Sequence, residues 1–272
     1  MTSLQAIVYG IIQGLTEFLP VSSTGHLRIT SALAGWSDPG AAFTAVIQLG
    51  TLAAVLVYLR VELWRISAAV LRSLGSRTMA DPEARLGWGI IIGTVPIVVV
   101  GFALRDVIEG PARNLWVIAG GLGLFSLVMA AADRRAADER ELTSSTVPDA
   151  IAIGVAQVLA LVPGVSRSGA TISMGLARRF NRRDAARFSF LLSVPAVVLS
   201  GLFELRKIGD PGGAAAGITV IATLVAFVIG YASIAGLLRL LAHHSLTVFI
   251  VYRIALALLL VALLAAGVIP AR

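Results

Sequence analysis

Three ionisable residues stand where an apolar chain has little use for them. Glu17, His26 and Arg167 lie in or beside two polar interruptions, Val-Ser-Ser-Thr-Gly-His (21–26) and Gly-Val-Ser-Arg-Ser-Gly (164–169). Each interruption follows an apolar stretch that ends in a proline, Pro20 or Pro163. A charge at the bilayer centre costs about 2.5–3.5 kcal/mol on insertion scales, so intramembrane ionisable groups mark functional sites by default. Hydroxyls crowd around them: Ser22, Ser23 and Thr24 in the first break, Ser166, Ser168 and Thr171 in the second. Proline stops one helix, and a Ser/Thr-Gly run suits the start of another, where free backbone N–H groups and the positive dipole end attract anions. Arg167 adds a planar fork matched to phosphate oxygens, which a lysine would not reproduce. Taken singly, each residue has a plainer reading. Glu17 could sit at a water-exposed interface, His26 could be a satisfied polar group, Arg167 could be a structural partner for Glu17, and a serine-rich turn could merely cap a helix. The combination on two opposed breaks points to phosphate chemistry.

The elements that carry these residues belong to a membrane. Of the 272 residues, 57% are hydrophobic and 14% charged, and the mean hydropathy is +0.90; soluble domains average about 45–50% and 25%. Soluble single-domain enzymes are excluded, and the lack of polar/apolar alternation excludes a porin-type barrel. A net charge of +7 resembles a nucleic-acid signal, but membrane proteins collect Lys and Arg in cytoplasmic loops for topological reasons, so no nucleic-acid partner is expected. With no cysteine, disulfides, thiolate metal sites and cysteine nucleophiles are ruled out. The first apolar stretch carries Glu17 and lacks a basic leader, so it reads as part of the fold and not as a cleaved signal peptide.

Six stretches reach the roughly 17–25 residues of a spanning helix: Ala41–Leu59, Leu86–Leu104, Leu115–Ala132, Phe188–Leu205, Ala215–Leu237 and Thr247–Gly267. Two shorter ones, Leu4–Leu19 and Ala150–Val162, run into the breaks and read as re-entrant hairpins, their irregular backbone buried in protein or lining a cavity. Placing both termini outside puts fourteen arginines in inner loops against six cations in outer segments, as the positive-inside rule favours. A shift of 144 lays Gln13, Leu15, Val21, Ser22 and Gly25 on Gln157, Leu159, Val165, Ser166 and Gly169. Three spans separate the hairpins, so the second copy is upside down. The expected fold is an all-α polytopic membrane protein with six transmembrane helices plus two re-entrant helical hairpins in an inverted-topology repeat, the interrupted helices meeting near the midplane. It forms a single membrane domain over 1–272, with repeat one at about 1–132 and repeat two at about 148–272. A charged cytoplasmic loop at about 133–147 joins them.

The run Gln-Gly-Leu-Thr-Glu-Phe-Leu-Pro-Val-Ser-Ser-Thr-Gly-His (13–26), with Pro-Gly-Val-Ser-Arg-Ser-Gly-Ala-Thr (163–171), closely resembles the two signature motifs of the bacterial undecaprenyl-diphosphatase family, the integral-membrane bacitracin-resistance phosphatases. The resemblance extends through Phe188–Pro195 and Tyr252-Arg253 and covers nearly the whole chain. It implies hydrolysis of undecaprenyl diphosphate to undecaprenyl phosphate and inorganic phosphate, recycling the lipid carrier of cell-wall synthesis. A divalent cation (Mg²⁺ or Ca²⁺), an outward-opening site and homodimers are also implied. By position, the family's second motif carboxylate falls on Glu17, its catalytic serine on Ser23, its histidine on His26 and its phosphate-binding arginine on Arg167. Several members carry glutamate where this chain has Gln13, so the metal would rest on Glu17, with Gln13 offering a neutral oxygen.

The mechanism expected from these residues has Arg167 and N–H groups near Ser166–Gly169 holding phosphate oxygens, with Gln13, Ser22, Thr24, Ser166, Ser168, Gly169 and Thr171 lining the substrate. Mg²⁺ or Ca²⁺ would bridge Glu17 and the diphosphate. Ser23 Oγ or a water attacks, and His26, three residues along from Ser23, could take the proton. The rival reading is a transporter or flippase of polyprenyl phosphate, since inverted repeats with broken midplane helices typify secondary transporters. Elsewhere, His243 and His244 read as interfacial and Asp133–Glu141 as a solvated loop, while Arg178–Arg187 could contact anionic lipid headgroups, though the positive-inside rule alone already explains it. Arg253 requires a partner inside the bundle. Trp36, Trp64, Trp88 and Trp116 fit interfacial anchors at span ends.

Overall fold

The computed structural model describes residues 1–76, 78–137, 139–205 and 216–271. Arg77, Arg206, Lys207 and Arg272 of the charge count, Ala215 at the start of a span, and Asp138 of the charged loop lie outside the described residues. Twelve α-helices and no strand occur among the described residues: α1 (Ser3–Thr16), α2 (Ser23–Leu33), α3 (Gly40–Tyr58), α4 (Arg60–Ser76), α5 (Pro82–Ala103), α6 (Arg105–Glu109), α7 (Leu115–Arg134), α8 (Val147–Val158), α9 (Arg167–Ala177), α10 (Arg182–Leu205), α11 (Ala216–Leu240) and α12 (Thr247–Ala265). Six of them, α3, α5, α7, α10, α11 and α12, are long and apolar enough to cross a bilayer. These are the six expected spans, with α5 and α10 beginning several residues earlier because charged first turns continue the helix.

Helix α4 is an element the hydropathy runs did not mark. Its arginines looked like loop charges, yet Ile66, Ala69 and Ser73 are buried at helical spacing and form a stripe that packs against α5. Trp88 of α5 donates its indole N–H to Ser73 Oγ at 2.9 Å. Trp88 is therefore tied to a helix as well as lying near a span end, whereas Trp64 and Trp116 are exposed.

The two short helix pairs, α1–α2 and α8–α9, share local detail at the 144-residue offset. Thr2 and Thr146 each form a capping box, with Gln5 and Asp149 as the respective third residue. Gly10 and Gly154 sit at close helix crossings: a Cβ at Gly10 would stand 2.6 Å from the Ala222 carbonyl oxygen of α11, and one at Gly154 would stand 2.2 Å from the Gly93 carbonyl oxygen of α5. Thus α1 packs on α11 and α8 packs on α5, each pair drawing in where no side chain intervenes.

The charged segments are fastened down at particular residues. Asp133 is buried and accepts from Arg182 Nε at 2.8 Å and from the Leu246 N–H at 3.1 Å. Arg140 and Arg178 converge on the fully buried Asp149 at 2.7 Å each, and Arg187 binds both Glu62 and Asp184 at 2.8 Å. Asp133 and Arg140 are therefore anchored, while Arg134, Arg135, Ala137, Glu139 and Glu141 are exposed as a solvated loop would have them. Four of the five arginines in Arg178–Arg187 pair with carboxylates, Arg179 with Glu139 at 2.6 Å. Burial raises the Asp149 carboxyl, but hydrogen bonds from Arg140, Thr146 and Arg178 outweigh it and hold the group below the usual carboxylate range. His243 and His244 lie exposed in the turn after α11.

Candidate active site

The turn after α1 and the turn before α9 meet. Ser22 Oγ accepts from the Gly164 N–H at 3.2 Å, and Ser168 Oγ donates to the Leu19 carbonyl at 3.0 Å. Ser22 and Ser166 are the N-caps of α2 and α9, with φ of 76° and 79°. Such backbone in a non-glycine residue costs about 1–3 kcal/mol and persists only where its surroundings hold it. Here each cap hydroxyl accepts from the glycine three residues on, Gly25 at 3.3 Å and Gly169 at 3.1 Å. Two helix N-termini, with their unpaired first N–H groups, are thereby brought together.

Glu17 sits between them, buried. Its Oε1 pairs with Arg167 Nη2 across the two breaks. Its Oε2 accepts from Gln13 Nε2 and from Ser23 Oγ, both at 2.7 Å. Gln13 is fully buried and its Oε1 has no hydrogen-bond partner. Four expected site residues, Gln13, Glu17, Ser23 and Arg167, therefore form one connected cluster. Arg167 Nη1 also reaches the Ser193 carbonyl of α10 at 3.4 Å.

His26 does not hydrogen-bond Ser23 in this structure. The sequence spacing placed it beside Ser23 as a proton acceptor, but Ser23 Oγ is held by Glu17 and both imidazole nitrogens are engaged elsewhere. Nδ1 lies 2.7 Å from the Ser22 carbonyl oxygen, which can only accept, so Nδ1 carries the proton. Nε2 then accepts from the Tyr252 hydroxyl at 2.6 Å, the two rings stacked with centroids 5.6 Å apart. An i, i+3 spacing shares a helix face without dictating which group a side chain reaches.

Several other expected substrate-lining residues make hydrogen bonds within the fold. Thr171 is fully buried, donates to the Arg167 carbonyl at 2.8 Å and bonds Ser189 Oγ at 2.6 Å. Ser166 and Ser168 hydroxyls lie 3.1 Å apart, and the Gly169 N–H is spent on Ser166. The N–H groups of Arg167 and Ser168, at the first turn of α9, and those of Ser23 and Thr24 at the first turn of α2 are the ones a helix start leaves free.

Arg253, for which the sequence named no partner, ties the arrangement together. It is fully buried on α12 and donates to Ser126 Oγ at 2.9 Å, to the Pro20 carbonyl at 3.1 Å and to the Gly164 carbonyl at 2.9 Å. It also reaches the Gly121 and Leu122 carbonyls of α7 at 3.2 and 3.3 Å. One guanidinium thus satisfies a carbonyl from each break. Tyr252 appeared in the sequence only in the matching pair with Arg253; its reach to His26, and that of Arg253 to the breaks, had no local signal.

Fold and cluster together define a multi-pass helical membrane protein with a buried acid, alcohol and guanidinium at two facing helix starts. The chain belongs to the family described as bacitracin resistance protein BacA, whose model matches residues 6–259. It is 51% identical over 270 residues to an undecaprenyl-diphosphatase of Nocardioides sp., covering 98% of both chains. An undecaprenyl-diphosphatase 2 of Frankia casuarinae is 51% identical over 281 residues, covering 98% of this chain and 96% of the relative. An undecaprenyl-diphosphatase of Myxococcus xanthus is 48% identical over 269 residues, covering 98% and 91%.

Proposed function

We propose that this protein is an undecaprenyl-diphosphatase, releasing inorganic phosphate from undecaprenyl diphosphate to regenerate undecaprenyl phosphate for cell-wall synthesis and so conferring bacitracin resistance. The observation that carries the mechanism is Ser23 Oγ donating to Glu17 Oε2 at 2.7 Å while Arg167 holds the other oxygen of the same carboxylate. The diphosphate competes with Glu17 for Arg167. As the guanidinium turns to phosphate oxygens, aided by the free N–H groups of Ser23, Thr24, Arg167 and Ser168, Glu17 loses its counter-charge and becomes the proton acceptor. Ser23 Oγ attacks the terminal phosphorus, its proton passes to Glu17, and the P–O bond to the lipid phosphate breaks. Water then hydrolyses the phosphoserine. If water attacks instead, Glu17 takes the water's proton in the same place. The prenyl C–O bond stays intact in either case. His26 holds the Ser22 carbonyl and hence the peptide that presents Ser23.

A divalent cation fits the residues present. Gln13 Oε1 is an orphaned buried oxygen, and with Glu17 Oε2 and Ser23 Oγ it makes an oxygen-only donor set suited to Mg²⁺ or Ca²⁺. With one carboxylate, the remaining ligands would come from substrate phosphates. When bound, the ion supplies charge neutralisation at the phosphate oxygens.

The helix pairs α1–α2 and α8–α9 are read as re-entrant hairpins of an inverted repeat, about 1–132 and 148–272 joined by 133–147 within a single membrane domain. Matched capping boxes, positive-φ serine caps and close-packed glycines at one offset support the repeat. Both termini lie outside, the site opens to the outer side, and the protein pairs as a homodimer.

Turnover of a labelled lipid diphosphate by detergent-solubilised protein tests the reaction. Glu17→Ala and Arg167→Ala should each lose it, and near wild-type rates in both overturn the assignment. Ser23→Ala retaining activity within about tenfold, or 1.4 kcal/mol of barrier, selects water as nucleophile, whereas a trapped phosphoserine selects Ser23. Lipid movement across a sealed bilayer without phosphate release would favour the transporter reading. A single cysteine placed near Ser23, in a chain with no native cysteine, reports the side of opening through an impermeant thiol reagent, and crosslinking in the membrane reports the dimer.

A further inference from the structure

The diphosphatase reading places a head group but no tail. Beside the second break, a groove of about 370 Å³ runs along α7, walled by Leu124 and Val128 on one side and by Val162 and Val165 on the other, with Gly120 and Gly121 among its lining residues. That volume is at the lower end of small-molecule sites, about 300–1,000 Å³. Every residue lining it is apolar or glycine. Leu124 is 70% exposed and Val128 50%.

We propose that this groove seats the prenyl tail of the lipid diphosphate, an inference that rests on the diphosphatase reading. Continuity is the first argument. Val165 directly precedes Ser166, the cap of α9, and Arg167 follows. Groove wall and phosphate cradle are therefore one backbone segment, braced by the same guanidinium through the Gly121 and Gly164 carbonyls. The glycines supply the second. A Cβ on Gly121 would stand 2.6 Å from the Pro163 carbonyl oxygen, so that glycine lets α7 approach the break. A Cβ on Gly120 would meet nothing within 4 Å; packing makes no demand for glycine there, and a side chain would project into open space beside the groove. Length is the third. From Val117 to Val128 the groove follows α7 for about 16 Å at 1.5 Å per residue, enough for several isoprene units. Tethering decides between a substrate tail and the acyl chain of a bystander lipid. Once the head is held at Arg167, the tail is present at the groove mouth at a high effective concentration that no free lipid matches.

The test replaces Gly120 with leucine in the full-length protein and compares kcat/KM for undecaprenyl diphosphate with that for a five-carbon prenyl diphosphate, too short to run along the groove. The long-to-short ratio should fall at least tenfold, with the loss in KM for the long substrate. Leu124→Ser, at an exposed side chain, should lower the same ratio without touching the packed core. Equal losses on both substrates, or no change in the ratio in either variant, overturn the proposal. A shift in oligomeric state without a change in the ratio also overturns it and gives the groove to a second copy of the chain. Wild-type protein that hydrolyses neither substrate sinks the diphosphatase reading itself, a result distinct from an active enzyme whose chain-length preference the groove variants leave alone.

Discussion

Replacing Arg253 with methionine should disable the site from a residue that never touches substrate. The two breaks leave the Pro20 and Gly164 carbonyls without a helical partner, and Arg253 donates to both. A buried acceptor left unsatisfied costs about 1–3 kcal/mol, so losing both costs about 2–6 kcal/mol. The Gly121 and Leu122 carbonyls lie inside α7 and already accept along their own helix, so they add little. Removing a buried cation whose hydrogen-bond partners are all neutral oxygens relieves a desolvation penalty of several kcal/mol. Global stability therefore moves less than the gross figure, and the decisive readout is turnover. The breaks carry Ser23, Glu17 and Arg167, and a displacement of about 1 Å at a reacting group costs about 10²-fold. Arg253→Met should lower kcat by about that factor. Arg253→Lys, whose single nitrogen cannot reach the Pro20, Gly164 and Ser126 oxygens together, should fall between. The assay is phosphate release by solubilised protein, with thermal unfolding in the same detergent as a control for folding. Turnover of Arg253→Met within threefold of wild type would show that the breaks hold their geometry without this clamp, and the reasoning fails.

Other perturbations discriminate more locally. Glu17→Gln keeps the shape but removes the proposed proton acceptor and the counter-charge of Arg167; kcat should fall by about 10²–10⁴, measured as phosphate release, and a loss under tenfold would move the base elsewhere. His26→Asn keeps an N–H for the Ser22 carbonyl and should retain far more activity than His26→Ala; equal losses in a side-by-side turnover assay would return imidazole to proton transfer. Gly154→Ala forces a Cβ to within 2.2 Å of the Gly93 carbonyl oxygen and should destabilise the α5–α8 crossing by about 1–3 kcal/mol, read as a lowered Tm; an unchanged Tm refutes the close-approach argument. Asp149 has its carboxyl depressed in the folded state, so its stabilising contribution is complete above the unfolded value, about 3.9, and fades as pH falls below it. The Tm gap between wild type and Asp149→Asn should accordingly be constant from pH 7 down to about pH 5 and narrow toward pH 3; a gap that widens in acid contradicts the sign.

Much of this protein was legible in one dimension. Hydropathy runs marked six spans, because a bilayer demands an uninterrupted apolar length whatever the helix packs against. Pro20 and Pro163, each followed by Ser/Thr-Gly runs, marked the breaks, because proline and capping residues act on their own backbone. The offset between Gln13 and Gln157 or Ser22 and Ser166 was visible for the same reason. Helix α4 was readable in principle from the spacing of Ile66, Ala69 and Ser73, but arginines at topologically meaningful positions masked a short amphipathic stripe.

Tertiary structure alone decided who holds whom. Glu17 meets Arg167 across 150 residues, His26 meets Tyr252 across 226 and Pro20 meets Arg253 across 233. It set His26 against Ser22 and Tyr252 and gave Ser23 to Glu17. It also spent the hydroxyls of Ser22, Ser168 and Thr171 on joining elements, and fastened a charged loop through Asp133 and Asp149. Local periodicity and turn chemistry reach only a few residues along the chain, so they fix where helices start and stop. Which donor meets which acceptor depends on how those helices cross, and burial makes each such choice costly to leave unmade.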